Sequence, residues 1–408
     1  MRITIAALNF APEVTGIAPY TTAIAEGLSV RGHDVEVLAG LPHYPGWQEL
    51  PGYRGRAVES RSDSLRVRRV NHYVPNGHSL RGRLRMEMSF GRSAAARSWS
   101  SPDVLLMMSP PLFAAGALIA AARLRAVPTV VAVQDLYGKG ANETAALASA
   151  AGALTWIESR VLRAASRVVV IHDRFADSVG AMGVPANRIE TIRNWTHVPD
   201  IGDVNVAEVR AELGWKQHEV VALHAGNMGM KQGLENVVEA AALAERGGLP
   251  LRFSLVGGGN QRAHLIAAAT GLRSIEFRET LPSREFLRAL RAADVLLVNE
   301  RSGVADMAVP SKLTSYFASG RPIVAATDRG SVTQAEVRAA GAGVTVPADD
   351  PRALVDACLQ LAADPGRGRA FGAAARAFAT GHLNESRAID DYERVCWSAL
   401  THRRGADV

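Results

Sequence analysis

The sequence predicts an α/β protein built as two doubly wound, Rossmann-like domains, each a mostly parallel sheet with helices on both faces. Short, near-continuous apolar runs recur along the chain, as expected of strands buried on both faces. Helix-length stretches separate those runs. The strand–helix series occurs twice in 408 residues, about 200 residues each, a comfortable domain size.

In the first series the candidate strands are Ile3–Leu8, Val35–Ala39, Leu65–Val70, Val104–Met108, Thr129–Val133 and Val168–Ile171. The longest apolar run, Leu112 to Val131, is broken by Arg123, Arg125 and Pro128. It reads as a buried helix followed by a strand, not a membrane span. The second series is Val220–Ala225, Arg252–Val256, Ser274–Phe277, Val295–Val298, Pro322–Ala325 and Gly343–Val346, with helices such as Leu234–Glu245 and Ser283–Ala292 between strands. His, Pro, Gly and Asp cluster at Thr196–Asn205 and mark the break. The expected organisation is a first domain over 1–198, a second over 199–383, and a helix over 384–408 that returns to the first. Open sheets of this kind take ligands beyond the carboxyl ends of their strands. Two of them facing across a cleft would make a small-molecule site.

The formal net charge is +6 and the pI about 9.6, which favours anionic partners: nucleotides, nucleic acid or an acidic membrane. Zinc spacing, RNA-recognition motifs and basic–aromatic repeats are missing from the sequence, so nucleic acid is not expected. Cys358 and Cys396 lie in helical sequence without metal-ligand spacing and read as reduced, structural thiols of a cytoplasmic protein. Met1–Leu8 reads as a strand, not a signal peptide.

Three loops carry candidate chemistry. Gly16 stands between the first strand and its helix, where bare backbone N–H groups suit an anion or where the chain simply turns. The second is Gly226-Asn-Met-Gly-Met-Lys231, where glycines and Lys231 converge at a helix start, an arrangement suited to phosphate. The third runs from Asp306 to Pro322. Pro310 can start a helix and leave the N–H groups of Ser311, Lys312 and Leu313 free, and Gly320 can end it. That helix either receives a diphosphate or is only well capped. Neither a G-x-G-x-x-G nor a Walker A sequence occurs. Leu80–Phe90 is basic and amphipathic, a solvated face or a peripheral contact with an anionic membrane.

Together these loops resemble glycosyltransferase family 4, a retaining family of the GT-B fold, over nearly the whole chain. Gly226–Gly233, Val256-Gly-Gly-Gly259, Ala293-Asp294 and Pro310–Pro322 keep the family's order and spacing, and Gly183-Val-Pro185 and Ile192-Arg-Asn-Trp195 match its linker. Leu41-Pro-His-Tyr-Pro45, Val133-Gln-Asp-Leu-Tyr137, Lys231-Gln-Gly233 and Pro310-Ser-Lys-Leu313 most resemble bacterial enzymes of colanic-acid and O-antigen assembly.

The resemblance implies a hexosyl- or N-acetylhexosaminyl-type transferase using a UDP-sugar, or else a GDP-sugar, with no metal or other cofactor. Gly16, Gly226 and Lys231 would hold the diphosphate, with backbone donors from Ser311, Lys312 and Leu313. The turn Phe277–Leu281, including Arg278, would meet the nucleobase. Gln134 and Asp135 would flank the donor sugar and, with Lys231, serve catalysis. His43 and Tyr44 could line the acceptor pocket. His72 and Tyr73 read as packing or surface residues.

Where many members carry two glutamates eight residues apart, this chain has Met307 and Ser315. Ser315 can still bond a ribose hydroxyl, and Asp306 and Glu300 are the candidates for sugar hydroxyls. Asn227 replaces the usual arginine, and Tyr137 is followed by Gly138-Lys-Gly140. A GT-B sugar-nucleotide epimerase and a catalytically weak nucleotide-sugar-binding protein are the competing readings.

Overall fold

The computed structural model describes residues 1–14, 16–55, 59–77, 79–137, 151–196, 201–303 and 311–404. The chain divides into two compact units, Met1–Asn194 with Glu385–Val408, and Trp195–Asn384.

The first unit holds β1 (Arg2–Ala7), β2 (Asp34–Gly40), β3 (Glu59–Ser62), β4 (Leu65–Val70), β5 (Val104–Ser109), β6 (Thr129–Val133), β7 (Arg167–Val170) and β8 (Ile189–Thr191). Their spatial order is β3-β4-β2-β1-β5-β6-β7-β8. All neighbours pair in parallel except β3, antiparallel on β4. Ile5 lies opposite both Val37 and Leu106, and all three are buried. Such rows, apolar on both faces, exclude water from the ladder and produce the runs read in the sequence. The strand order reverses between β1 and β5, so the loop after Ala7 opens at the switch point.

The second unit holds β9 (Val220–Ala225), β10 (Leu251–Val256), β11 (Ile275–Arg278), β12 (Val295–Asn299), β13 (Ile323–Ala326) and β14 (Gly343–Val346). The sheet is parallel throughout, ordered β11-β10-β9-β12-β13-β14. Its switch point lies between β9 and β12, which aims the loops after Ala225 and Asn299 at one ligand position. Two apolar layers cover the sheet, one around Leu223, Leu296, Tyr316 and Phe317, the other around Val237, Phe253, Leu297 and Cys358.

Helix Glu385–Arg404 completes the first unit. Ile389 lies so close to Gly27 that a Cβ there would sit 2.4 Å from its Cδ1. Arg31 pairs with Asp390 at 2.6 Å, His33 Nε2 meets Glu393 at 2.9 Å, and Arg394 donates to Glu190 at 2.8 Å. Leu112–Leu124 is a helix followed by β6, as the broken apolar run suggested. Among the described residues no helix is long and apolar enough to cross a membrane. Cys358 and Cys396 are free, buried thiols.

Candidate functional site

In the second unit, β9 ends at His224 and Ala225 and the chain then bends through Gly226-Asn-Met-Gly229. The next Gly-rich loop, Gly257–Gly259, is stacked on this bend. Met228 N–H donates to Gly258 O at 2.7 Å, and Gln261 N–H donates to Met228 O at 2.9 Å. A Cβ on Gly259 would lie 2.4 Å from Met228 O. Gly259 also has φ +148°, which side chains rarely adopt. The Gly257–Gly259 run therefore keeps one loop against the other.

Below the bend lies Lys312, the first residue of helix Lys312–Ser319. Its Nζ is 3.4 Å from both ring nitrogens of His224. A Cβ on Gly226 would come within 3.7 Å of that Nζ, so the ammonium lies next to bare backbone. Burial lowers the ammonium to about 7, against the pull of Glu300. His224 is fully buried, and burial and then Lys312 hold its imidazole well below the ordinary value, hence neutral. A desolvated cation with no ion pair among the described residues is costly unless an anion joins it. Ser311 caps the helix without a side-chain bond, which leaves the N–H groups of Ser311, Lys312 and Leu313 without acceptors among the described residues. Cation, dipole and amides thus belong to the same end of one helix, the arrangement that receives anions.

Lys231 is exposed on the short turn Met230–Gln232. Asn299 anchors that turn: its Nδ2 donates to Gln232 O and Gly233 O at 2.8 Å each. Arg301 N–H donates to Lys231 O at 2.9 Å. The Lys231 ammonium has no hydrogen bond or ion pair among the described residues and stays available. Asn227 is exposed beside it.

Other expected donor residues are placed differently. The Arg278 guanidinium is held through Nε and Nη2 by Glu276 at 2.8 and 3.0 Å and by Leu213 O, so most of its donors are committed within the fold. Phe277 and Leu281 are partly buried against the two apolar layers. Ser315 is buried and its hydroxyl donates to Lys312 O at 2.9 Å. Both Glu300 oxygens are held, by Thr327 at 2.5 Å and Thr333 at 2.6 Å. Burial raises this carboxyl above its usual range. Asp306 lies outside the described residues.

In the first unit the loop after β1 is tied to the loop after β2 by Glu13, which is only 5% exposed. Its Oε1 accepts from His43 N–H at 2.7 Å and Tyr44 N–H at 2.8 Å, and Oε2 accepts from Asn9 Nδ2 at 2.9 Å. This sets the Tyr44 ring over Gly16, where a Cβ would meet Tyr44 Cε1 at 3.3 Å. Gly16 is exposed with φ +66°, so its backbone faces solvent beside that ring. His43 is buried and its Nδ1 lies 2.8 Å from Leu41 O. The carbonyl must accept, so Nδ1 carries the proton. His72 bonds through both nitrogens, accepting from Leu41 N–H at 3.0 Å and donating to Tyr73 O at 2.9 Å. Burial pushes it down to about 4. It is a neutral, structural imidazole.

Gln134 is buried at the end of β6. Its Oε1 accepts from Asn194 at 2.7 Å, and its Nε2 has no acceptor among the described residues. Asp135 is exposed and interacts electrostatically with Arg83. Close by, the buried Glu87 accepts from the Tyr137 hydroxyl and from Phe113 N–H. Burial raises both Glu87 and Tyr137. Glu13, His224, Asn299 and Glu87 carry no motif of their own. Their only signal in the sequence is a polar residue inside, or just beyond, an apolar run.

Residues 15–195 match the glycosyl transferase 4-like domain and residues 219–364 the glycosyl transferases group 1 family. WcaI of Escherichia coli (strain K12), a glycosyl transferase ascribed to colanic acid biosynthesis, is 34% identical over 343 residues, 78% of this chain and 82% of that protein. A GDP-mannose-dependent alpha-mannosyltransferase of Mycobacterium tuberculosis (strain CDC 1551 / Oshkosh) is 26% identical over 326 residues, covering 80% and 79%. Among solved structures, sucrose-phosphate synthase of Thermosynechococcus elongatus superimposes with TM-score 0.72 at 18% identity, over all of both chains. Anabaena Alr3699/HepE, solved with UDP, does so with TM-score 0.68 at 13% identity, over 98% and 100%. The chain belongs to glycosyltransferase family 4 and has the GT-B fold. As a member it is a glycosyltransferase that takes its sugar from a nucleotide-sugar donor.

Proposed function

We propose that the chain is a retaining, metal-independent glycosyltransferase. It would move a hexosyl or N-acetylhexosaminyl unit from a UDP-sugar, or in second place a GDP-sugar, to a glycan, lipid-linked or small-molecule acceptor. The observation that carries this is Lys312, a desolvated cation beside Gly226 and at a helix N-terminus whose first amides have no acceptor among the described residues. That arrangement suits a diphosphate that gains negative charge as the anomeric bond breaks. Lys231 supplies a second, mobile cation. The bond from the anomeric carbon to the diphosphate oxygen breaks, the acceptor oxygen bonds to the same face of that carbon, and the acceptor proton passes to the leaving phosphate. Gln134 and Asp135 flank the sugar, and His43 and Tyr44 meet the acceptor.

The base follows from calorimetric titration of UDP and GDP into the wild-type protein and Lys312→Ala. We expect one nucleotide to bind at least tenfold tighter than the other, and the variant to lose about a hundredfold for it, in line with two charge-assisted bonds. Equal affinity of wild type and variant, with the variant folded, would sink the reading.

A lipid-linked acceptor is favoured by one surface. Arg81, Arg85, Met88 and Arg92 are exposed on helix Leu80–Ala96, at spacings that align them in one stripe. Anionic lipid attracts basic residues by about 1 kcal/mol each. Sedimentation with phosphatidylglycerol vesicles at low salt should pull down wild type and leave the triple variant Arg81→Glu, Arg85→Glu, Arg92→Glu in solution. Equal behaviour of the two proteins would remove the membrane from the proposal.

A further inference from the structure

The first unit carries a cavity of about 550 Å³ between the segment Trp47–Arg54 and the segment Asn71–Asn76. It opens beyond the carboxyl ends of β2 and β4, the end of the sheet that bears Gly16 and Tyr44. Its size falls within the roughly 300–1,000 Å³ usual for small-molecule sites, but its lining is not that of an apolar pocket. Two aromatic rings, Trp47 and Tyr73, stand among the side-chain amides of Gln48, Asn71 and Asn76. None of those amides makes a hydrogen bond among the described residues, and all three residues are exposed. The Tyr73 ring is fixed from behind by the Arg85 guanidinium, 4.3 Å from its centroid. Trp47 is fixed by the His43 and Tyr44 rings, at 6.0 and 6.2 Å between centroids, and holds φ +53°. Such a backbone in a bulky residue persists only where the surroundings impose it.

We propose that this cavity binds a neutral sugar ring of the acceptor, one unit away from the hydroxyl that receives the transferred sugar. A pyranose presents an apolar C–H face and a rim of hydroxyls. Rigid aromatic faces match the first, and amides, which both donate and accept, match the second. The one cation and one anion in the lining cancel: Arg54 donates from Nε to Glu49 Oε1 at 3.1 Å and from Nη2 to Oε2 at 2.6 Å, so nothing in the lining selects an acidic sugar. His72 contributes no free nitrogen, since both are bonded. The cavity adjoins Tyr44 through Trp47. An acceptor whose reactive hydroxyl lies beside Tyr44 therefore reaches the cavity with its neighbouring ring. The acceptor class is then a glycoside of at least two sugar units, not a bare aglycone or a single hexose. This assignment rests on the transferase reading for the placement of Tyr44, but the cavity's ligand chemistry is tested apart from donor binding.

The probes are methyl β-maltoside, methyl β-lactoside and an acidic counterpart of equal size, the maltoside oxidised at C6 of its non-reducing ring to a glucuronide, each followed by saturation-transfer difference NMR on the full chain without nucleotide. We expect saturation of ring protons in a neutral disaccharide, at least threefold more than in the glucuronide. The signal should fall at least fivefold in Asn71→Ala/Asn76→Ala. Those two positions are exposed, so an unchanged melting midpoint is expected and guards against a folding artefact. Trp47→Ala should abolish the signal as well. No transfer to either disaccharide, or equal transfer in the double variant, overturns the proposal, as does a stronger signal from the glucuronide. UDP and GDP titrations on the same wild-type sample read the donor assignment separately, so either assignment can fail without the other.

Discussion

Lys312 bears the sharpest conflict between stability and use. Its ammonium is desolvated, lies 3.4 Å from the neutral His224, and loses its proton near pH 7. In the unfolded chain a lysine holds its proton to about 10.4. Between those two values the unfolded state binds more protons, so stability rises with pH through that window. Below about 7 the cost of the buried charge is fully present. Lys312→Met should therefore melt at a higher temperature than wild type at pH 6, with the gap gone above pH 10. Calorimetric melting at the two pH values checks this. The same variant should lose the nucleotide.

A diphosphate that settles on Lys312 raises its proton affinity. At pH 8 binding should take up a proton, and the binding enthalpy should change with the ionisation heat of the buffer. A buffer-independent enthalpy would place the phosphates elsewhere. Lys231 is the complementary case, exposed and unpartnered among the described residues. Lys231→Ala should cut turnover at least tenfold with the melting midpoint unchanged, read by nucleotide release and calorimetry. Both lysines were visible in the sequence because each stands at a strand-to-helix loop. What Arg278, Ser315 and Glu300 do with their side chains was not visible. Their partners, Glu276 and Leu213 O, Lys312 O, Thr327 and Thr333, come from the fold. His224 gave no signal, since a histidine ending an apolar strand reads as core.

At the scale of loops and strands, the two Gly-rich segments of the second unit act as one object. Gly259→Ala puts a Cβ 2.4 Å from Met228 O at a φ few side chains accept. We expect it to lower stability by about 1–3 kcal/mol and to weaken the nucleotide by shifting Gly226 from Lys312. Denaturant titration and binding calorimetry on one sample measure both. Glu13 plays the joining role in the first unit. Its removal leaves the buried amide of His43 and the part-buried amide of Tyr44 without their acceptor, at about 1–3 kcal/mol for the buried one. Glu13→Ala should be destabilised by at least that much in urea, with Glu13→Gln between it and wild type.

The strands most readily read were those buried on both faces. β3 and β8 escaped for the opposite reason. They are edge strands, β3 mostly exposed and β8 half-buried at every position, so Glu59-Ser-Arg-Ser62 and Ile189-Glu-Thr191 carry no apolar run. The helix Lys312–Ser319 begins at Ser311 with no side-chain cap, a geometry that Pro310 in the sequence only approximates.

Over the whole molecule, the parallel, helix-covered sheets follow from hydrophobic rhythm, whereas the strand order that sets the switch points and the pairing of distant segments do not. The return of a helix over 384–408 to the first domain is an expectation of the sequence, but no motif in Glu385–Arg404 singles out Gly27, Arg31 and His33 as the residues it meets. Its partners are some 360 residues away along the chain. Shortening the chain to end at Asn384 should strip the first unit of that cover and leave it aggregated or molten. Hydrogen exchange would detect this as lost protection in β5 and β6, with protection of β9 and β12 retained. A first unit protected as in the full chain would contradict it.

The backbone leaves the first unit at Asn194 and re-enters it at Glu385, which has a consequence for biosynthesis. As the polypeptide emerges from the ribosome, the amino-terminal half waits with one flank bare, while the middle half is already contiguous and able to close. Domains usually mature in the order they are made. Here the later-made one can finish first, and a chaperone that shields the uncovered flank of β5 and β6 during that interval would serve this protein more than one that acts after release.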